Sequence, residues 1–289
     1  MSPWQSHTAR AAGVALTVTL LAACGSSGSG SAGKTGTEAS APAAASSSGA
    51  IPAGVLIKDG VITFCSDLTA PPAEFLDADQ KPVGAEIELG AAMAKVMGVQ
   101  VKWADTAFNG IIPALQAKQC DAILSQLFIK PERQKVVDFV PYLKNSNTVM
   151  VKQGSPISAI DALCGKKAAA QTGTTAAEYF KQADAKCSGA HIDIRLFGKD
   201  TDALQQLKLG LVDAYGTTLE TAAYVMKQQP GQFGLAGEPF GAITCGIATR
   251  KDATPVHDAL AAALKAVQAD GTYDKILASW NLTGDALKS

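Results

Sequence analysis

Residues 61–127 read VITFCSDLTAPPAEFLDADQKPVGAEIELGAAMAKVMGVQVKWADTAFNGIIPALQAKQCDAILSQL, and their periodicity decides the fold. Val61 to Cys65 is a short β-branched and aromatic run that stops at Asp67, the pattern of a buried strand. Glu86 to Met97 puts Leu89, Met93, Val96 and Met97 on one face at helical spacing. Val99 to Trp103 reads as a second strand. Asn109 is placed to cap a helix through Lys118, with Ile111, Ile112 and Leu115 inward. Asp121 to Leu127 reads as a third strand. Strands alternating with helices predict an α/β domain with a largely parallel sheet, because parallel neighbours need a crossover and a helix supplies it.

The pattern returns further along. Lys167 to Gln171 is a short strand, Gly173 opens a helix through Phe180, and Ile192 to Phe197 is a strand. Thr201 caps a helix with Leu204, Leu207 and Leu209, and Val212 to Tyr215 is a strand. Leu115-x5-Asp121-Ala122 and Leu207-x5-Asp213-Ala214 match in spacing, each a helix end, a polar turn and a strand start. Two lobes of similar build follow from this repeat. The tail is helical. Thr254-Pro255 is a cap with proline at the first helical position; Val256, Leu260, Ala263, Leu264 and Val267 form an apolar face. Gly271 breaks that helix before Tyr273 to Trp280.

Towards the N-terminus the sequence changes character. Arg10 precedes an apolar run from Ala11 to Ala23, too short to span a bilayer comfortably, so residues 1–23 read as an export signal. It ends in Leu21-Ala22-Ala23-Cys24, which resembles the lipobox of bacterial lipoproteins. The resemblance implies that Cys24 carries a diacylglyceryl group, and two acyl chains give stable anchoring where one does not. Residues 24–54 are then the lipidated cysteine and a Gly/Ser/Ala tether without core-forming residues. Within that tether Gly28 to Thr35, GSGSAGKT, matches a phosphate-binding loop letter for letter. Neither a strand before it nor a periodic helix after it is present, so the match is assigned to low complexity. No later segment approaches about 18 consecutive apolar residues, so no transmembrane helix is expected in the mature chain.

Length, composition and charge restrict the function. A chain of 289 residues with 47% hydrophobic and 18% charged residues is globular and large enough for a sizeable core. A net charge of −1 and no basic stripe give no reason to expect nucleic-acid binding. With Cys24 assigned to lipid, Cys65, Cys120, Cys164, Cys187 and Cys245 remain, and no C-x-x-C occurs among them. Cys164 and Cys187 flank one predicted helix and are the expected disulfide, permitted outside the cytoplasm. At least one other cysteine is left free, as a buried apolar residue. No metal or cofactor is implied.

A set of short motifs then fixes a relationship. In order they are Asp67-x4-Pro72, Pro82-Val83-Gly84, Ile112-Pro113-Ala114-Leu115-Gln116, Asp121-Ala122-Ile123, Pro131-Glu132-Arg133, and Val137-Asp138-Phe139-Val140-Pro141-Tyr142. Gly173-Thr174-Thr175, Gly246-Ile247-Ala248 and Asp270-Gly271-Thr272-Tyr273 with Trp280 follow. Any one is weak; their order and spacing together resemble the family 3 extracellular solute-binding proteins of amino-acid ABC importers, over about residues 61 to 282. The resemblance implies a two-lobed periplasmic-binding-protein-like fold of type II. Each lobe is then a mostly parallel sheet flanked by helices, and two hinge strands join them. The first lobe would hold 55–144 plus 248–289 and the second 145–247. The implied partners are a small-molecule ligand, an ABC permease with a separate ATPase, and the membrane through the lipid anchor. The protein is expected to be a monomer on the outer face of the plasma membrane.

Physical reasoning points to the same site. Ligands of open α/β sheets bind beyond the carboxyl ends of strands, where Asp67, Ser125 and Gln126 fall. Arg133 offers a planar fork matched to a carboxylate, and Gly173-Thr174-Thr175 opens a helix whose N–H groups receive the same anion. Family resemblance gives Arg133, Thr174 and Thr175 the grip on an α-carboxylate and makes Phe108 a stacking position. Each residue also has a plain structural reading: Arg133 as a solvated helix-start charge, Asp67 as a turn cap, Phe108 as core, Glu74 as surface. The family's ammonium-binding Asp falls on Thr218, its covering aromatics on Ala70 and Ala73, and its carboxylate-assisting Ser/Thr on Phe128. Either Glu220, Asp67 or Glu74 replaces that Asp, or the ligand lacks a standard α-ammonium; the reading is a polar or cationic amino acid or a derivative. A dehydratase-like enzyme on the same fold and a ligand-sensing receptor subunit are the rival functions; His191 and His257 lie near no predicted cleft residue.

Overall fold

The computed structural model describes residues 51–287. The export signal 1–23, Cys24, most of the tether and the Gly28–Thr35 match lie outside the described residues. The fold has the mixed α/β, two-lobed type II architecture expected from the sequence.

In the first lobe β1 (Val61–Ser66) lies between β5 (Gln100–Asp105) and β6 (Ala122–Ile123), parallel to both. A small separate sheet, β2 (Thr69–Ala70), β3 (Glu74–Leu76) and β4 (Pro82–Val83), fills the connection to α1 (Ala85–Met97). Helix α1 buries Leu89, Met93, Ala94 and Met97 against β1 and β5, and Gly98 ends it in the left-handed conformation. A Cβ on Gly90 would stand 2.7 Å from the Trp103 ring, so helix and sheet approach closely there. Helix α2 (Ile111–Gln116) covers the opposite face of the sheet, with Ile111 and Leu115 buried. A short α3 (Pro131–Gln134) leads into β7 (Val137–Lys152), the first of two long strands.

The second lobe repeats the plan. Its strands β8 (Lys167–Gln171), β9 (Asp193–Phe197) and β10 (Ala214–Thr218) are parallel. Around them pack α4 (Thr175–Asp184), α5 (Asp200–Leu209) and α6 (Leu219–Gln228), and β11 (Phe233–Leu235) pairs with β7. The second long strand, β12 (Phe240–Arg250), runs antiparallel to β7 from Phe240↔Asn147 to Arg250↔Val137. It returns the chain to α7 (Thr254–Ala269) and α8 (Thr272–Ser279), which pack with α1. The main strand order is β5-β1-β6-β12-β7-β10-β8-β9, so both lobes share one sheet path through the two long strands.

The sequence repeat has a structural counterpart. Asp121 N–H donates to the Thr63 carbonyl at 2.8 Å, and its carboxylate accepts from Thr63 N–H at 2.8 Å. Asp213 makes the same pair with Lys167, at 2.8 Å and 2.8 Å. In each lobe a helix-to-strand aspartate thus fixes the register of the adjacent parallel strand.

Cys164 and Cys187 form the expected disulfide, and Cys65–Cys120 forms a second, joining β1 to the turn two residues before β6. Cys245 is free and buried. Several local expectations are corrected. Asn109 does not cap α2; it lies in the turn Phe108–Gly110, and Gly110 occupies the cap position without a side-chain bond. Thr201 does not cap α5, which starts one residue earlier behind Lys199. The strand expected over Asp121–Leu127 pairs only at Ala122–Ile123, because the chain turns at Gln126 with φ 40° and offers its N–H to Glu86 instead. No helix among the described residues is long and apolar enough to cross a membrane.

Candidate functional site

A cavity lies where the carboxyl ends of the parallel strands of both lobes meet. The first lobe contributes Asp67 after β1, Phe108, Ser125 and Gln126 after β6, and Arg133 in α3. The second contributes Gln171 at the end of β8, Thr174 and Thr175 at the start of α4, Asp200 at the start of α5, and Thr217 and Thr218 at the end of β10. Glu74 and Phe128 also line it. Gly173 and Glu220 do not. Gly173 stands at the rim with φ 84°, where a Cβ would lie 3.2 Å from Asn109 Cα. Glu220 faces a separate groove with Tyr224, Trp280 and Asp285.

Arg133 is the one Lys or Arg among the lining residues. Its Nη1 donates to the Phe128 carbonyl at 3.0 Å and its Nη2 to the Gly173 carbonyl at 3.2 Å, so the side chain reaches across the cleft. The guanidinium carbon lies 5.7 Å from the centre of the Phe108 ring. Burial lowers its pKa from a very high starting point, and a guanidinium stays charged. Opposite it, Thr174 caps α4: its hydroxyl accepts from Ala177 N–H at 3.3 Å and donates to the Gln171 carbonyl at 2.7 Å. Thr175 and Ala176 line the cavity and form the first turn of α4, whose N–H groups have no intrahelical partner, so an anion is favoured there.

Carboxyl groups dominate the rest. Asp67 accepts from Phe108 N–H at 2.8 Å and from Gln171 Nε2 at 2.7 Å, and burial raises its pKa. Glu74 is 1% exposed rather than on the surface. Ser125 Oγ donates to Glu74 Oε1 at 3.1 Å while accepting from Asp67 N–H at 2.9 Å. Burial first, then neighbouring Glu86 and Asp67, push Glu74 well above the usual carboxylate range. Glu86, just behind the wall, accepts from Tyr142 and from Gln126 N–H, and burial lifts it to about 7. Asp200 accepts from the Tyr215 hydroxyl, and burial lifts it also to about 7. Thr218 uses its hydroxyl to cap α6, accepting from Thr221 N–H at 3.3 Å. The lobes are drawn together by the Lys130–Glu178 ion pair, the Gln171–Asp67 bond, and Asp200 N–H donating to Thr69 Oγ1 at 3.2 Å.

Sequence reasoning did not single out Asn147, Gln171, Asp200 or Thr217. Gln171, Asp200 and Thr217 obey the strand-end rule that found Asp67, so the signal was present. Asn147 sits within β7 in the polar run Lys144–Thr148, away from the strand-end positions that the rule covers. His191 and His257 bond to Asp184 and Asp258 away from the cavity. Among the described residues no group of three or more His, Cys, Asp or Glu is placed to hold a metal ion.

Residues 62–283 match the model of the bacterial extracellular solute-binding proteins, family 3. The chain belongs to that family. Among its relatives, the ABC transporter arginine-binding protein 1 of Escherichia coli K12 is 34% identical over 229 residues, covering 76% of this chain and 90% of the relative. The L-cystine-binding protein TcyJ of the same strain is 30% identical, covering 73% and 79%. A solved structure of an ancestral arginine-binding protein bound to arginine superposes with a TM-score of 0.73 at 35% identity, covering 76% of this chain and 98% of that one. The family 3 fold therefore brings with it the two lobes and the cleft between them.

Proposed function

We propose that this chain is the substrate-binding component of an ABC importer and captures an amino acid between its lobes. The carrying observation is a two-sided anion site: Arg133 from the first lobe faces the α4 N-terminus of the second across one cavity. A carboxylate held there touches both lobes, so ligand binding and closure are one event. Asp67, Glu74, Phe108, Ser125, Gln126, Phe128, Thr174, Thr175 and Thr218 form the remaining contact surface. Gly173 supplies the tight entry to α4, and Glu220 lies too far round α6 to take part. The relatives named for arginine and cystine support a polar amino acid, and the acidic wall favours a cationic one.

The lobes are 55–144 plus 248–289 and 145–247. Supporting this division, none of the four apolar clusters mixes residues from before Leu143 with residues between Val149 and Phe240. Cys245 and Ile247 pack with the first lobe, so the exchange is spread along β12. A lipid on Cys24 would hold a monomer at the outer face of the plasma membrane, where the closed form docks on a permease whose ATPase is a separate chain. The protein is a carrier and not an enzyme: ligand is released unchanged. A thermal-shift screen of the purified protein against amino acids tests the reading. A ligand at a hundredfold excess over its Kd adds about 2.7 kcal/mol, or roughly 5–10 °C for a domain of this size. A shift with at least one amino acid, lost in Arg133→Ala and followed by recovery of intact ligand, is expected. No shift with any amino acid, or conversion of the ligand, overturns it.

A further inference from the structure

Asp200 is the one ionisable side chain that the second lobe places in the cavity lining. It is 6% exposed and stands at the first position of α5, directly beyond β9. Tyr215 donates to its Oδ2, and among the described residues no hydrogen-bond donor meets Oδ1. Its backbone N–H donates to Thr69 Oγ1 at 3.2 Å, and that hydroxyl donates to Asp67 Oδ1 at 2.5 Å. One hydroxyl thus connects the Asp67 carboxylate of the first lobe to the Asp200 backbone of the second.

Carboxyl groups outnumber basic groups around the cavity. Asp67, Glu74 and Asp200 line it against Arg133 alone. If Arg133 and the α4 N-terminus take the ligand's carboxylate, no protein cation is left for the acids. Glu74 is 1% exposed, and its enclosed Oε2 has no geometric hydrogen-bond partner. Buried acceptors without donors are strongly disfavoured, and here the neighbouring Glu86 carboxyl, paired with Glu74, meets that need from within the protein.

We propose that Asp200 is the charge-reading residue of the second lobe: with Asp67 it holds a cationic nitrogen of the ligand between the lobes, selecting a ligand with a positively charged side chain over its neutral isostere. This rests on the reading that the cavity captures an amino acid. Because the two carboxylates come from different lobes, they meet around the cation only when the cleft closes. A neutral side chain leaves them facing each other, and closure is then opposed by like charge and by desolvation.

L-arginine and L-citrulline, nearly equal in shape and different in charge, are the probes, with calorimetric titration of the full protein. The wild type is expected to bind arginine at least about tenfold more tightly than citrulline, since a cation on a buried carboxylate makes a charge-assisted bond. Asp200→Asn keeps the side chain's shape and an oxygen for Tyr215. It is expected to lose arginine affinity, hold or gain citrulline affinity, and bring the ratio to about twofold or less. The melting temperature of the ligand-free variant reports whether Asp200 only supports the fold; a purely structural role would move stability and leave the ratio intact. An unchanged ratio in the variant overturns the proposal, as does a wild type that binds citrulline as well as arginine. If the wild type binds no amino acid at all, the reading of the site has failed and the proposal falls with it.

Discussion

Glu220 provides the sharpest quantitative test of the packing at the hinge. It sits in the first turn of α6, 5% exposed, and neither carboxyl oxygen has a hydrogen-bond donor. Burial, with the Asp285 carboxylate adding to it, raises its pKa from 4.5 to about 8. The folded state therefore binds this proton more tightly than the unfolded one. Its contribution to stability is fully present below pH 4.5 and is lost as the pH rises towards 8. At about 1.36 kcal/mol per pKa unit, the loss is about 3 kcal/mol by pH 7 and about 5 kcal/mol above pH 8. Glu220→Gln keeps the volume and removes the titration. Thermal unfolding of both proteins across pH 4.5 to 9 should show nearly equal melting temperatures at the acidic end. The variant should then pull ahead, by about 10 °C or more at the alkaline end, given about 2–4 °C per kcal/mol. Titrating groups that do not touch Glu220 cancel in the difference, while Asp285, paired with it, titrates as part of the same effect. A melting-temperature difference that stays constant with pH would refute the reasoning.

Other consequences follow from the same packing. Replacing Cys65 and Cys120 together by serine opens a loop with a sequence separation of 55, and should cost about 4 kcal/mol in chain entropy. Replacing Cys164 and Cys187, separated by 23, should cost about 3 kcal/mol; denaturant unfolding of the two double variants checks the order. Gly90→Ala drives a methyl to 2.7 Å from the Trp103 ring, and should destabilise the first lobe by about 1–3 kcal/mol, read from the same unfolding curves. Glu178→Gln removes the charge that ties α4 to Lys130 across the cleft. It should shift the ligand-free ensemble towards open forms, seen as a larger radius of gyration in solution scattering, while saturating ligand restores the wild-type value.

Much of the fold was legible because its signals are local. The apolar run Val61–Cys65, the spacing of Leu89, Met93 and Met97, and Pro255 at a helix start each specify one element without reference to the rest. The paired aspartates were legible too, since Asp121 and Asp213 do the same work at the same spacing. What failed was long-range. Asp121–Leu127 is apolar enough for a full strand, but Glu86, far away in sequence, claims the Gln126 N–H and turns the chain. Asn109 and Thr201 are good capping residues in the abstract; the helices begin one or two residues away, set by how α2 and α5 pack on their sheets.

The site was legible in the same uneven way. Arg133, Thr174 and Asp67 carry chemistry that their positions after strands announce. Glu220 was indistinguishable on paper from a cavity residue, because helix phase decides its side, and that phase is set by Thr218 capping α6. Asn147 lies in the polar stretch Lys144–Thr148 of β7, which does not say which of its members faces the ligand, and the convergence of the lobes brings it to the cavity. Glu74 follows a proline-rich turn that suggests solvent, whereas the small β2–β3–β4 sheet folds it inward beneath Ser125.

The central claim is that a carboxylate is gripped between Arg133 and the start of α4. Calorimetric titration of the purified protein with its best amino acid and with that amino acid's methyl ester tests it most directly. The account predicts one-to-one binding of the free acid, and a loss of at least about a hundredfold in the ester and in Arg133→Ala alike, as two charge-assisted bonds are removed. Equal binding of acid and ester would contradict it.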